Sequence, residues 1–165
     1  MKIAVIGDIH SNIIAFEKVM DRISQLNVDE IWCVGDLVGY YANPDEVVDM
    51  IVDTDIKCVM GNHDYGVIEK KLDWFKDDAK KSLLYSIKKL GLDHINFLKK
   101  LPYTLSFNRD GISFYLVHAS PRDNLFEYVH PYFSDKQLKK IGNDVDADVI
   151  IMGHTHVQMD AEIGF

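Results

Sequence analysis

At 165 residues the chain is long enough for one domain with a sizeable core. A formal net charge of −8 and only three arginines, Arg22, Arg109 and Arg122, leave no basic stripe, so no nucleic-acid-binding face is expected. Cys33 and Cys58 both lie in apolar runs and read as buried thiols, which excludes a disulfide framework; with no signal-like or membrane-length apolar stretch, the expectation is a soluble, cytoplasmic protein with no membrane partner.

Lys2 to Gly7 reads as an apolar strand that stops abruptly at Asp8-Ile9-His10. Ser11 or Asn12 can cap the following helix, whose apolar positions Phe16, Val19, Met20 and Ile23 recur at helical spacing. Ile31-Trp32-Cys33-Val34 is a second short apolar run, leading into Gly35-Asp36-Leu37-Val38-Gly39. The glycines let the backbone turn tightly around that carboxylate. Asn43-Pro44-Asp45-Glu46 starts a helix with Val47, Val48, Ile51 and Val52 turned inward. A third strand, Ile56 to Met60, runs into Gly61-Asn62-His63-Asp64. Strand–helix–strand units of this length predict parallel pairing, which places the three strand-end loops at one sheet edge. Asp8, His10, Asp36, Asn62 and His63 then converge.

The middle of the chain is helical. Asp77 to Lys89 carries Leu83, Leu84 and Ile87 on one side, and a shorter amphipathic turn from His94 to Leu101 is stopped by Pro102. His94 lacks a strand-end setting and reads as a helix residue, not a ligand. Thr104 to Phe107 and Ile112 to Val117 flank a four-residue turn, Asn108-Arg109-Asp110-Gly111, and the second strand of this hairpin ends at His118. Ser134-Asp135-Lys136-Gln137 has capping-box spacing for a helix to about Ile141. Asp148 to Met152 is the last apolar strand, ending at Gly153-His154-Thr155-His156. Parallel units followed by a hairpin predict two packed sheets with flanking helices.

The strand ends thus supply Asp8, His10, Asp36, Asn62, His118, His154 and His156. A lone histidine there is ordinary polar punctuation, but repetition after one apolar strand after another weighs against chance. Imidazole mixed with carboxylate suits zinc, iron, manganese or nickel, whereas calcium takes oxygen ligands. One catalytic zinc usually takes three protein ligands, so this set suits two divalent transition-metal ions about 3.5–4 Å apart sharing a carboxylate. Two such ions, set against Asp8, Asp36 and a bridging hydroxide, leave about one positive charge, which attracts an anionic phosphate ester.

In these blocks the chain resembles the calcineurin-like metallophosphoesterase superfamily. Asp8-x-His10, Gly35-Asp36-x-x-Gly39, Gly61-Asn62-His63-Asp64, the His118 strand end and Gly153-His154-x-His156 all occur in order, over nearly the whole chain. The resemblance implies an α/β fold, a four-layer αββα sandwich of two mixed sheets flanked by helices, in a single domain over residues 1–165. It implies one ion held by Asp8, His10, Asp36 and His156, and a second by Asp36, Asn62, His118 and His154, with Asp36 bridging. His63 matches the histidine that stabilises or protonates the leaving oxygen, and Asp64 the acid that orients it. Asp64 in place of Glu, and Gly39-Tyr40 in place of an Asp-Arg-Gly continuation, argue against the protein serine/threonine phosphatase branch. Asn43 to Val47 and His118-Ala119-Ser120-Pro121-Arg122 resemble the small microbial phosphodiesterase-like members.

The expectation is therefore metal-dependent hydrolysis of a small-molecule phosphate ester, a phosphodiesterase in preference to a monoesterase, with a metal-activated hydroxide attacking in line. The alternatives are a phosphomonoesterase or dinucleotide polyphosphatase with the same centre, a non-catalytic scaffold on the same fold, and a metal-stabilised binding module. A scaffold predicts lost ligands or a lost His63, and none is lost. Asn62 and Arg122 are the candidate substrate contacts, with a solvated loop arginine as the plainer reading of Arg122. Tyr40, Tyr41 and Tyr65 lie in the metal-bearing loops as a candidate aromatic rim. Relatives of this type continue past the His-x-His block with further strands and an Asn-Pro-Gly-Ser run, whereas Phe165 follows His156 by nine residues. The second sheet is thus expected to be cut short. Val157 to Ile163 alternates as a strand should, and its open edge is expected either to pair with another subunit, giving a homo-oligomer, or to remain marginal.

Overall fold

The computed structural model describes residues 1–163. Three short strands, β1 (Ile3–Ile6), β2 (Glu30–Cys33) and β3 (Lys57–Cys58), form a parallel sheet in the order β1-β2-β3. Helices α1 (Ile13–Ser24) and α2 (Pro44–Val52) make the two crossovers. Ile6 is level with Cys33, and Cys33 with Cys58, so all three chains leave the sheet at the same edge. Past that edge the loops stay bonded to one another: the N–H groups of Asp8, His10 and Ser11 donate to the carbonyls of Gly35, Asp36 and Leu37 at 2.8–2.9 Å. β3 is shorter than the sequence suggests because it splays away, Val59 N–H still reaching Cys33 but Met60 N–H turning to Pro102.

Helices α3 (Asn62–Glu69), α4 (Asp77–Lys89) and α5 (Leu92–Leu98) follow. The expected loop at Asn62-His63-Asp64 is the first turn of α3, with Gly61 as its extended N-cap. β4 (Thr104–Arg109) and β5 (Ile112–Val117) pair antiparallel, and β6 (Val149–Ile151) joins β5 in parallel after α6 (Asp135–Gly142). The second sheet is mixed, as expected; the first is purely parallel. The hairpin turn is also tighter than expected. Asn108 and Arg109 extend the ladder, leaving Asp110-Gly111 at φ 52° and 83°, the left-handed pair that a two-residue hairpin turn requires.

The layers follow from which faces are apolar. Between the sheets lie Trp32, Val34, Val59 and Leu116 with Phe107, Phe114 and Ile151. The outer face of the parallel sheet is covered by α1 to α5 through Phe16, Val47, Ile51, Leu83 and Leu98. Strand alternation turns Ile150 the other way from Ile151, to where Gly142 of α6 packs against it. The order is helices, parallel sheet, mixed sheet, helix. Ile13 takes a buried place on α1 while Val19, expected inward, is largely exposed, as is Val52 of α2. The strand expected over Val157 to Ile163 does not form. Val157 and Met159 face solvent, and Ile163 packs beside Val129, Leu138 and Ile141. Alternation supplies a face for a strand, but a strand also needs a neighbour for its backbone bonds.

Candidate metal centre

The site is built from strand ends bent back on themselves. Asp8, His10, Asp36, His154 and His156 all take left-handed backbone, with φ of 50°, 51°, 55°, 67° and 56°. Such a conformation is uncommon outside glycine and concentrates at functional sites. Gly35, at φ 89°, lies against the backbone of Gly61, where an added Cβ would stand 2.5 Å from the Gly61 nitrogen. The two loops are pressed together there. Beyond β5 and β6, Gly153 N–H donates to the His118 carbonyl at 2.8 Å, and His154 N–H reaches the Asp8 carboxylate at 3.2 Å.

Asp36 is buried at the middle. Its Oδ1 accepts His63 N–H at 2.8 Å. Its Oδ2 lies 3.7 Å from His10 Nε2 and 3.5 Å from His118 Nε2. On one side, His10 Nε2 is 3.1 Å from His156 Nε2, which in turn is 3.4 Å from Asp8 Oδ1. On the other, His118 Nε2 is 3.0 Å from Asn62 Oδ1 and 3.2 Å from His154 Nδ1. The seven candidate ligands are thus brought together in two groups that meet at Asp36.

The tautomers decide what these groups can hold. His10 Nδ1 donates to the Val38 carbonyl at 3.1 Å, and His118 Nδ1 to the Val34 carbonyl at 2.7 Å. Each neutral ring therefore turns a bare Nε2 lone pair toward Asp36. Lone pairs aimed at lone pairs repel unless a cation stands between them. With metal–ligand bonds of about 2.0–2.2 Å, adjacent ligand atoms sit roughly 3.0–3.5 Å apart, the separations found here except between His10 Nε2 and Asp36 Oδ2, which are 3.7 Å apart. The donor set fits divalent transition metals on both sides of Asp36.

Burial keeps the rings neutral, as ligation requires. It pushes His10 and His154 down to about 4 and His63 to about 2, and it lowers His118 as well. Burial, and then the charge of Asp8, raises Asp36 well above the usual carboxylate range. A bound cation would reverse that penalty.

His63 stands inside the cluster, its ring 4.6 Å from that of His10 and 4.9 Å from Phe75. The expected contact with Asp64 is not made. Asp64 Oδ1 accepts Leu37 and Val38 N–H at 2.9 and 3.2 Å, its Oδ2 accepts Gly61 N–H at 3.0 Å, and His63 Nδ1 has no partner among the described residues. Burial first, then the Asp36 charge, raises Asp64 to about 7 against the pull of the Gly61 and Val38 N–H groups.

A profile of the calcineurin-like phosphoesterases matches residues 1–158. The chain belongs to that family. It is 37% identical over 157 residues to an uncharacterized protein of Methanocaldococcus jannaschii, covering 94% of this chain and 62% of the relative. A symmetrical bis(5'-nucleosyl)-tetraphosphatase of Haemophilus ducreyi is 31% identical over 121 residues, 70% of this chain and 43% of that one. Among solved structures, a metallophosphoesterase from Sphaerobacter thermophilus superposes with a TM-score of 0.77 at 32% identity, covering 95% of this chain and 61% of its own. The chain spans about three fifths of the length of its M. jannaschii and S. thermophilus relatives.

Around this candidate centre, the other candidates fall unevenly. Tyr40 is half exposed, with its ring 4.7 Å from His10 and 4.8 Å from His63, and Tyr41 lies beside it in a cleft of about 710 Å³ that reaches Asp8, His10 and His156. Tyr65 instead packs toward Trp74, Tyr103 and Phe126. Arg122 is turned to Glu127, which takes its Nη2 and its Nε–H. His94 bonds Asp49 at 3.0 Å, away from the centre, as its helix setting implied. Sequence reasoning missed Tyr128, whose ring stacks on His154 at 4.0 Å and 29°. The available signal was aromatic density, Phe126, Tyr128, Tyr132 and Phe133, in a stretch with no strand end to mark it.

Proposed function

We propose that this phosphoesterase hydrolyses phosphodiesters at a dinuclear centre in which Asp36 bridges an ion held with Asp8, His10 and His156 and another held with Asn62, His118 and His154. The observation that carries the reading is the pair of bare Nε2 atoms of His10 and His118 facing Asp36 Oδ2, a geometry that bound cations would stabilise. Manganese, iron, nickel and zinc all suit this donor set. Two divalent ions there would supply Lewis acidity to the phosphoryl oxygens and a nucleophile at neutral pH. The chain's own residues do the rest. Val38 and Val34 carbonyls fix the His10 and His118 rings, so their Nε2 lone pairs are aimed before any ion or substrate arrives. His63, held neutral by burial, would donate a ring N–H to the leaving oxygen and so stabilise its developing charge.

Charge favours a diester. The lining of the cleft beside Asp8, His10 and His156 includes no lysine or arginine, and Arg122 is already paired with Glu127. The field of about one positive charge then matches a singly charged diester better than a doubly charged monoester. Arg122 contacts substrate in this scheme only by leaving Glu127, so Arg122→Ala raises KM more than it lowers kcat if it does so.

Paired assays on bis(p-nitrophenyl) phosphate and p-nitrophenyl phosphate test the reading. A higher kcat/KM for the diester is expected. A preference for the monoester would return the site to the monoesterase alternative.

A further inference from the structure

We infer that Asp64 is a positioning residue that clamps the loop carrying Asp36 to the helix start carrying Asn62 and His63; the inference rests on the dinuclear reading above for its functional consequence, but not for its structural content.

The geometry is closed. Asp64 is fully buried, and its carboxylate is used up by backbone: Leu37 and Val38 N–H on Oδ1, Gly61 N–H on Oδ2. The Gly61 contact is the reciprocal half of a helix cap, an acid at the third helical position accepting from the N-cap residue. A capping acid needs only that one bond. Here the same carboxylate reaches across to a second loop, and that loop in turn holds a third. Asp36 and Leu37 carbonyls accept from His10 and Ser11 N–H, and the Val38 carbonyl fixes the His10 ring. From the α3 side, His63 N–H holds Asp36 Oδ1 and so turns Oδ2 toward both histidines. One carboxylate thus ties together segments that supply candidate ligands on both sides of Asp36. Among the described residues it makes no hydrogen bond to the His63 ring.

Groups one step behind a metal ligand typically change metal affinity or activity by about 10–100-fold when replaced. Asp64→Asn tests the clamp with nearly unchanged shape, because an amide presents N–H where Gly61 N–H needs an acceptor. Manganese titration by calorimetry should show affinity weakened about 10–100-fold, with kcat reduced more than KM. In a His63→Ala background the loss should be just as large. Unchanged manganese affinity in Asp64→Asn, or no further loss of activity in the double variant, would overturn the clamp and return Asp64 to service of His63.

A wild-type chain that bound no manganese would instead defeat the dinuclear reading. The clamp is then still decided without metal, by amide hydrogen exchange. Leu37, Val38 and Gly61 should exchange as one slow set in the metal-free wild type and lose protection together in Asp64→Asn. If Asp64→Asn does not fold, the wild type alone decides, since fast exchange at Leu37, Val38 or Gly61 in the metal-free protein would overturn the inference.

Discussion

The main-chain N–H of His63 donates to Asp36 Oδ1 at 2.8 Å, which leaves Asp36 Oδ2 free between His10 and His118. One oxygen is held by the fold and the other is left for chemistry. The division matters because a carboxylate free to rotate would not present a single lone-pair direction to two ions at once.

Asp36→Asn separates these two duties. The amide oxygen still accepts His63 N–H, so the fold should survive, while the amide nitrogen replaces the shared ligand. Bound metal should fall on both sides, and activity should drop by more than the ~10–100-fold typical of a group one step behind a ligand. Elemental analysis of the dialysed variant, with circular dichroism as the folding control, checks it. One ion retained at wild-type affinity would argue against the bridge.

His63→Ala should behave oppositely. In the proposed scheme its ring donates an N–H to the leaving oxygen and ligates neither ion, so metal content should stay near wild type while kcat falls about 10²–10³-fold, the usual range for losing one donor to a developing oxyanion. A diester with a far more acidic leaving group should lose less, because its leaving oxygen carries less charge to stabilise. Loss of half the metal would reassign His63 as a ligand.

Trp32 should dominate the layer between the sheets. It is fully buried, with its ring centroid 4.4 Å from that of Phe107 and 5.0 Å from that of Phe114. Trp32→Ala should cost about 3–5 kcal/mol, read as a lower urea midpoint. A loss below about 1 kcal/mol would mean the layer closes over the gap, against the rigidity expected of a packed interior.

Glu30 should make stability fall in acid. Arg109, then Lys57 and the Trp32 indole N–H, hold its carboxyl down to about 2. A group whose folded pKa is depressed stabilises above its unfolded value and loses that contribution as pH falls toward the folded one. The window here runs from about 4.5 down to about 2. Glu30→Gln should melt below wild type at pH 7, with the gap closing across that window. A gap that stayed constant from pH 7 to pH 2 would show that the cluster contributes through packing alone.

Most of the candidate ligands were legible in the sequence because they interrupt apolar runs at the ends of strands, and parallel pairing within each sheet (β1-β2-β3, and β5 with β6) needs only strand order to bring such ends together. Asp8, His10, Asp36, His118, His154 and His156 all sit at such interruptions. What was not legible depends on partners distant in sequence. Asn62 to Asp64 read as a loop because α3 opens on polar residues and carries Gly66 within it. Asp64 read as the partner of its neighbour His63, while its bonds run to Leu37 and Val38, 27 and 26 residues away. Arg122 read as free because nothing in the pattern ties it to Glu127. Val157 to Ile163 had a strand's alternation, but among the described residues no strand bonds to it.

A stoichiometric metal titration decides whether a pair of ions is joined through Asp36. Chelated protein should be inactive toward bis(p-nitrophenyl) phosphate, bind two equivalents of manganese per chain, and regain its activity only as the second equivalent fills. Full activity at one equivalent, or activity that survives complete chelation, would contradict the account.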